Sequence, residues 1–171
     1  TYGLLRFSLK LAPDAAREPA TVYAMGLLSL IAIVYGALLC IMQKDWKRLI
    51  AYSSVSHMGF CTLGIFAFNE AGITGSMLQQ VNHGVSTSLL FLLFGMMYDR
   101  QPSREIAAFR GLWRPMPRYA AVFAIAALSS MGMPPLNGFI GEFTVLRGAF
   151  AMSWNWALWG VIGIALSAAY L

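Results

Sequence analysis

Three ionisable side chains, Glu142, His57 and His83, lie inside long apolar runs of this sequence. A charged group midway along a hydrophobic span costs roughly 2.5 to 3.5 kcal/mol on insertion scales. Such a carboxylate needs a polar environment within protein. Histidine titrates near neutral pH and can receive a proton on one ring nitrogen while releasing one from the other. The chemistry these residues can do together is the passing of protons. Redox and hydrolytic constellations are not present in the sequence. No glycine-rich nucleotide loop follows a strand, the cysteines do not cluster, and no nucleophile stands at a defined spacing from a base.

Around the histidines the spacing is helical. Ser76, Gln80, His83 and Thr87 recur at intervals of four, three and four residues, and Ser53, Ser56, His57 and Cys61 also share a face. A polar stripe on a membrane helix must face protein or water. Hydroxyls and amides can hold ordered water between proton stations. The competing reading is that these groups only join helices, since single membrane hydrogen bonds contribute about 0.6 kcal/mol and are common. His57 is divided between the two readings. His83 lies deeper in its run, on a fuller stripe, and favours a path.

Glu142 follows a break in its own run. Ser129 to Gly138 reads SSMGMPPLNG, which no continuous helix tolerates. Pro134 and Pro135 withdraw amide donors, and with Asn137 and Gly138 they free carbonyls in mid-span. One proline would indicate a packing kink. A double proline beside a carboxylate matches the discontinuous helices with which transporters place ion sites near the midplane. Arg147 points to a different face and reaches the interface by snorkelling.

The elements that must position these residues are membrane spans. Of 171 residues, 58% are hydrophobic and 11% are charged, against about 25% charged in soluble domains. The apolar runs are continuous, which argues for an all-α, polytopic membrane helix bundle and against a β-barrel. Residues 1–20 read as the end of a preceding helix plus a loop, and 21–171 as a membrane domain. Within it, spans are predicted at about 21–42, 49–68 and 73–98, with a broken span over 119–150 and a truncated one over 154–171. The break falls near 132–138. Its two halves, at about 14 and 12 residues, are each too short for a bilayer core of about 30 Å. The opening Thr1 and the apolar ending predict an internal piece of a longer protein.

The predicted spans place Lys44, Lys47 and Arg48 on one side with Arg100, Arg104, Arg110, Arg114 and Arg118. The excess of basic residues makes that side cytoplasmic. Trp46, Trp113, Trp154 and Trp156 flank spans, as interfacial anchors do. The net charge of +5 therefore reports topology and does not point to nucleic acid. Cys40 and Cys61 fit no metal or redox spacing and read as packing residues.

QKDWKRLIAYSSVSHMGF at Gln43–Phe60 carries a resemblance, with QVNHGVST at Gln80–Thr87, YDR at Tyr98–Arg100 and NGFIGEF at Asn137–Phe143. The chain resembles the antiporter-like, proton-translocating membrane subunits of respiratory complex I (NADH:quinone oxidoreductase), and among them the M-chain branch. Relatives of that family occur in multi-subunit cation/proton antiporters and membrane-bound hydrogenases. The resemblance implies a protein with two inverted five-helix repeats, of which this chain is nearly all of the second, with one discontinuous helix. It implies that Glu142 occupies the proton site of the outward half-path and that His57 and His83 lie on a central hydrophilic axis. Gln80, Thr87 and Ser53 would support that path, and Pro134, Pro135 and Asn137 would shape the break.

The implied function couples NADH-to-quinone electron transfer in other subunits to proton movement. NADH, FMN, iron–sulfur clusters and quinone would be held elsewhere in the complex, with no cofactor, metal or redox chemistry in this chain. Implied partners are neighbouring antiporter-like and other membrane-arm subunits and the lipid bilayer, in a bacterial inner (cytoplasmic) membrane. Two departures stand out. The family usually has Gly where Pro135 stands, and its helix lysine ahead of Thr1 lies outside this sequence. Rival readings are a cation/proton antiporter subunit, a hydrogenase membrane arm, and a structural membrane scaffold.

Overall fold

The computed structural model describes residues 1–170. A π-helical turn at Leu4–Ser8 leads into α1 (Leu9–Leu11) and α2 (Pro13–Arg17). The second of these replaces part of the expected loop. Pro13 supplies a φ suited to a first helical turn, and Asp14 sits where the helix dipole favours an acid.

Three long helices follow: α3 (Pro19–Ile41), α4 (Trp46–Phe66) and α5 (Glu70–Tyr98). At 23, 21 and 29 residues they are long and apolar enough to cross a membrane. Side-chain caps set two of their starts. The Asp45 carboxylate accepts from Arg48 N–H at 3.1 Å, and Asn69 Oδ1 accepts from Gly72 N–H at 2.7 Å. Both helices therefore begin three residues before the apolar runs expected at 49 and 73. Cap-proximal turns carry little hydrophobic signal.

The broken element comprises α6 (Pro117–Ser130) and α7 (Asn137–Met152), and α8 (Trp154–Tyr170) closes the bundle. With 14 and 16 residues, the two halves are about 21 and 24 Å long. The non-helical stretch is 131–136, so Asn137 and Gly138 belong to the restarted helix and not to the break. Helix α6 stops in a Schellman geometry. Gly132 takes a φ of +75°, its N–H donates to Ser129 O at 3.2 Å, and Met133 N–H donates to Leu128 O at 3.1 Å.

Among the described residues there is no strand, and the one β-type contact is an isolated bridge between Asp45 and Glu105. Helix α4 packs between α3 and α5. Helix α7 packs on α5 and α4, α8 covers α3 and α7, and α6 leans on α5. The α5–α7 approach requires bare backbone: a Cβ added at Gly75 would stand 2.6 Å from Val145 N.

Along its axis the bundle is layered. Trp46, Ile50, Leu90, Leu93, Phe94, Met97, Phe109 and Ala126 form one apolar cluster. Ile33, Phe60, Leu63, Val145 and Ala149 form another. Between them in helix register lie the buried polar residues: Ser53, Ser56 and His57 on α4, Gln79, Asn82, His83 and Ser86 on α5, Ser129 and Ser130 on α6, and Glu142 on α7.

Candidate functional site

Glu142 is 1% exposed, in the second turn of α7 just past the break. Its Oε1 lies 3.0 Å from His57 Nδ1. Two proton arrangements fit this contact. A neutral or charged imidazole can donate Nδ1–H to the carboxylate, or a carboxylic acid can donate to the Nδ1 lone pair. A second donor reaches the same oxygen, Gln79 Nε2 at 3.3 Å. Among the described residues no lysine or arginine pairs with Glu142. The other ion pair is Arg48–Asp45 at 4.0 Å, at the N-terminus of α4. The basic hydrogen-bonding neighbour of Glu142 among the described residues is His57.

His83 lies next to this pair. Its ring centroid is 5.2 Å from that of His57. Ser54 Oγ stands 2.8 Å from Nε2, and Thr87 Oγ1 stands 3.1 Å from Nδ1. His57 Nε2, on the far side of its ring from the carboxylate, has no hydrogen-bond partner among the described residues. Buried donors and acceptors are nearly always paired, by protein or by water.

The break is stitched by polar side chains. Asn82 Nδ2 donates to Asn137 O at 2.7 Å, and Ser129 Oγ donates to Asn137 Oδ1 at 2.5 Å. From α8, Ser167 Oγ approaches Met131 O at 3.4 Å. Helices α5, α6 and α8 therefore converge on the interruption that precedes Glu142.

The expected residues are distributed unevenly. Glu142 and His57 are in direct contact, and His83 holds Thr87. Gln80 is displaced from this group: half-buried, it donates to Ser76 Oγ at 3.4 Å, and its neighbour Gln79 reaches the carboxylate instead. Ser53 is buried but donates back to Ile50 O at 2.8 Å, while Ser54 meets His83. Pro134 and Pro135 are exposed on the flank of the bundle. Residues that sequence reasoning left out are Gln79, Asn82, Ser54 and Gly132. A signal for two of them exists: Gln79, Asn82, His83 and Ser86 fall at i, i+3, i+4 and i+7, a second polar face beside the stripe through Gln80. Cys40 and Cys61 are buried free thiols, and Cys40 Sγ donates to Leu49 O at 3.6 Å. No cluster of metal-ligating side chains occurs among the described residues.

Comparison with known proteins bears on this geometry. The family described as NADH:quinone oxidoreductase/Mrp antiporter, TM matches residues 1–167. A protein of Rhodobacter capsulatus named NADH-quinone oxidoreductase subunit M is 47% identical over 169 residues, which is 99% of this chain and 33% of that protein. The chain thus spans about a third of the length of the curated relatives it matches. A chain of respiratory complex I from Thermus thermophilus with bound NADH superposes with a TM-score of 0.90 at 36% identity, over 99% of this chain and 36% of that one. A chain of the Mrp complex from Dietzia sp. superposes with a TM-score of 0.86 at 22% identity, over 92% of this chain and 29% of that one, and shares the fold. The all-α fold is that of the antiporter-like subunits, and the protein is a multi-pass membrane protein.

Proposed function

We propose a role in proton translocation for this chain, which belongs to the NADH:quinone oxidoreductase/Mrp antiporter family of membrane subunits. In this reading it is part of a membrane-arm subunit of NADH:quinone oxidoreductase in a bacterial inner membrane. Electron transfer from NADH to quinone takes place in other subunits, which hold FMN, iron–sulfur clusters and quinone. This chain contributes no redox chemistry. Its neighbours are other antiporter-like and membrane-arm subunits. The observation that carries the reading is the fully buried Glu142 beside a helix break, paired with His57 at 3.0 Å and with no lysine or arginine on it among the described residues.

Glu142 is the proton-binding residue, His57 its titratable partner, and His83 the next station, held by Ser54 and Thr87. Gln80 and Ser53 contribute polarity to the helix faces around the path. Pro134, Pro135 and Asn137 maintain the interruption that brings polar backbone to the carboxylate. The 47% identity to a protein named as an oxidoreductase subunit supports this above the antiporter reading, for which the Mrp likeness speaks at the level of fold. The deciding experiment is Glu142→Gln in the full-length subunit of the assembled complex, reconstituted in vesicles. NADH-driven quinone reduction is expected to persist while protons moved per electron fall. Unchanged pumping in a fully assembled complex would sink the reading.

A further inference from the structure

The two oxygens of the Glu142 carboxyl are in different surroundings. Oε1 accepts from Gln79 Nε2 at 3.3 Å and lies 3.0 Å from His57 Nδ1. Oε2 is buried and has no partner among the described residues. It lies against the backbone of the break, since a Cβ added at Gly132 would stand 2.5 Å from it. Ser130, two residues earlier on the same turn, carries a buried hydroxyl that also lacks a partner among the described residues. Gln79 is itself wedged, with its amide oxygen against the bare backbone of Gly141.

We propose that Glu142 exchanges its proton through Oε2, on the side of the helix break, and that Gln79 is the positioning residue that holds the carboxyl in this orientation. The proposal rests on the reading of Glu142 as a proton site and adds which oxygen and which face are used. In loading, an O–H bond of a hydronium ion breaks and the Oε2–H bond forms, leaving neutral water. Release reverses the step, with no electron transferred. Oε1 keeps its contacts with Gln79 Nε2 and with His57 Nδ1, the link to the histidines, while Oε2 exchanges on the side of the break. Gly132 then has two reasons to be glycine: the helix stop requires a positive φ, and Oε2 occupies the place of a side chain.

The test uses the full-length subunit in the assembled oxidoreductase, in vesicles, with proton pumping per electron and the infrared carboxyl C=O band as readouts. The band of Glu142 is the one missing in Glu142→Gln. Gly132→Ala and Gln79→Leu are each expected to lower protons per electron as far as Glu142→Gln does and to shift the band. Gly111→Ala is the control for backbone strain, because Gly111 shares the φ of +75° and has nothing within 4 Å of an added Cβ. It is expected to pump as the parent does. If Gly132→Ala does not assemble, the band shift in Gln79→Leu decides. Full pumping with an unmoved band in Gly132→Ala or Gln79→Leu overturns the proposal, as does an equal loss in Gly111→Ala. Full pumping in Glu142→Gln overturns the underlying reading instead.

Discussion

The aromatic layer around Trp46 and the polar layer around Glu142 are both buried, and they are closed by different means. Trp46 meets Phe94, Phe109 and Phe123 with ring centroids 5.8, 5.2 and 5.1 Å apart. The loop that carries Phe109 is tied down by main-chain bonds, Trp46 N–H to Arg104 O at 2.9 Å and Ile106 N–H to Lys44 O at 3.0 Å. Such packing has one good arrangement. In the polar layer, His57 Nε2, Gln79 Oε1, Ser130 Oγ and Glu142 Oε2 are buried with no partner among the described residues. That layer has unused hydrogen-bonding capacity, and a proton or a water can be placed there in more than one way. The first layer is closed by ring packing; the second ties helices by hydrogen bonds through Asn82, Ser129 and Asn137 and still leaves polar atoms without partners among the described residues.

The sharpest way to break this contrast is to remove the titratable group and keep its volume. Glu142→Gln preserves shape and one acceptor oxygen, so assembly and thermal stability should hold. Protons moved per electron should fall. Loss of assembly in this variant, measured by the yield of intact complex, would make the polar layer a structural one.

Trp46→Ala should do the opposite. Removing a large buried aromatic side chain costs about 3 to 5 kcal/mol, and three ring contacts go with it. Less complex should assemble, and what does assemble should unfold at lower temperature. Its protons per electron should match the parent, because no atom of Trp46 touches the histidines or Glu142. An assembled but uncoupled Trp46→Ala complex would show that the two layers are not separate.

What could be read in advance divides along similar lines. The all-α class and the interrupted helix follow from one-dimensional signals: continuous apolar runs, and a double proline that no helix accommodates. Glu142 stood out because a lone acid in such a run demands an account. The choice of Gln79 over Gln80 could not be made from α5 alone. Both residues lie on polar stripes of one 29-residue helix. Which stripe faces inward is decided by α7, whose close approach depends on Gly75 and Gly148. The same holds for Ser54 over Ser53: the buried hydroxyl turns back to its own helix, and the half-buried one finds His83. The tie between residues 44–46 and 104–106 joins segments far apart in the sequence and has no local signature.

The smallest expected effect tests whether His83 belongs to the polar layer as a moving part or as an anchor. Ser54 Oγ and Thr87 Oγ1 hold its ring from two sides. A single membrane hydrogen bond is worth about 0.6 kcal/mol, which in a barrier is roughly a threefold change in rate. Ser54→Ala and Thr87→Val should each slow proton translocation by no more than about that factor, with unchanged stability. If the two hydroxyls orient one ring for transfer, the double variant should lose more than the product of the single effects, because the last restraint on the imidazole is then gone. Independent, multiplying losses would mean that each hydroxyl acts alone. No loss in the double variant would make His83 a packing residue and leave His57 as the one histidine of the polar layer with a role in pumping.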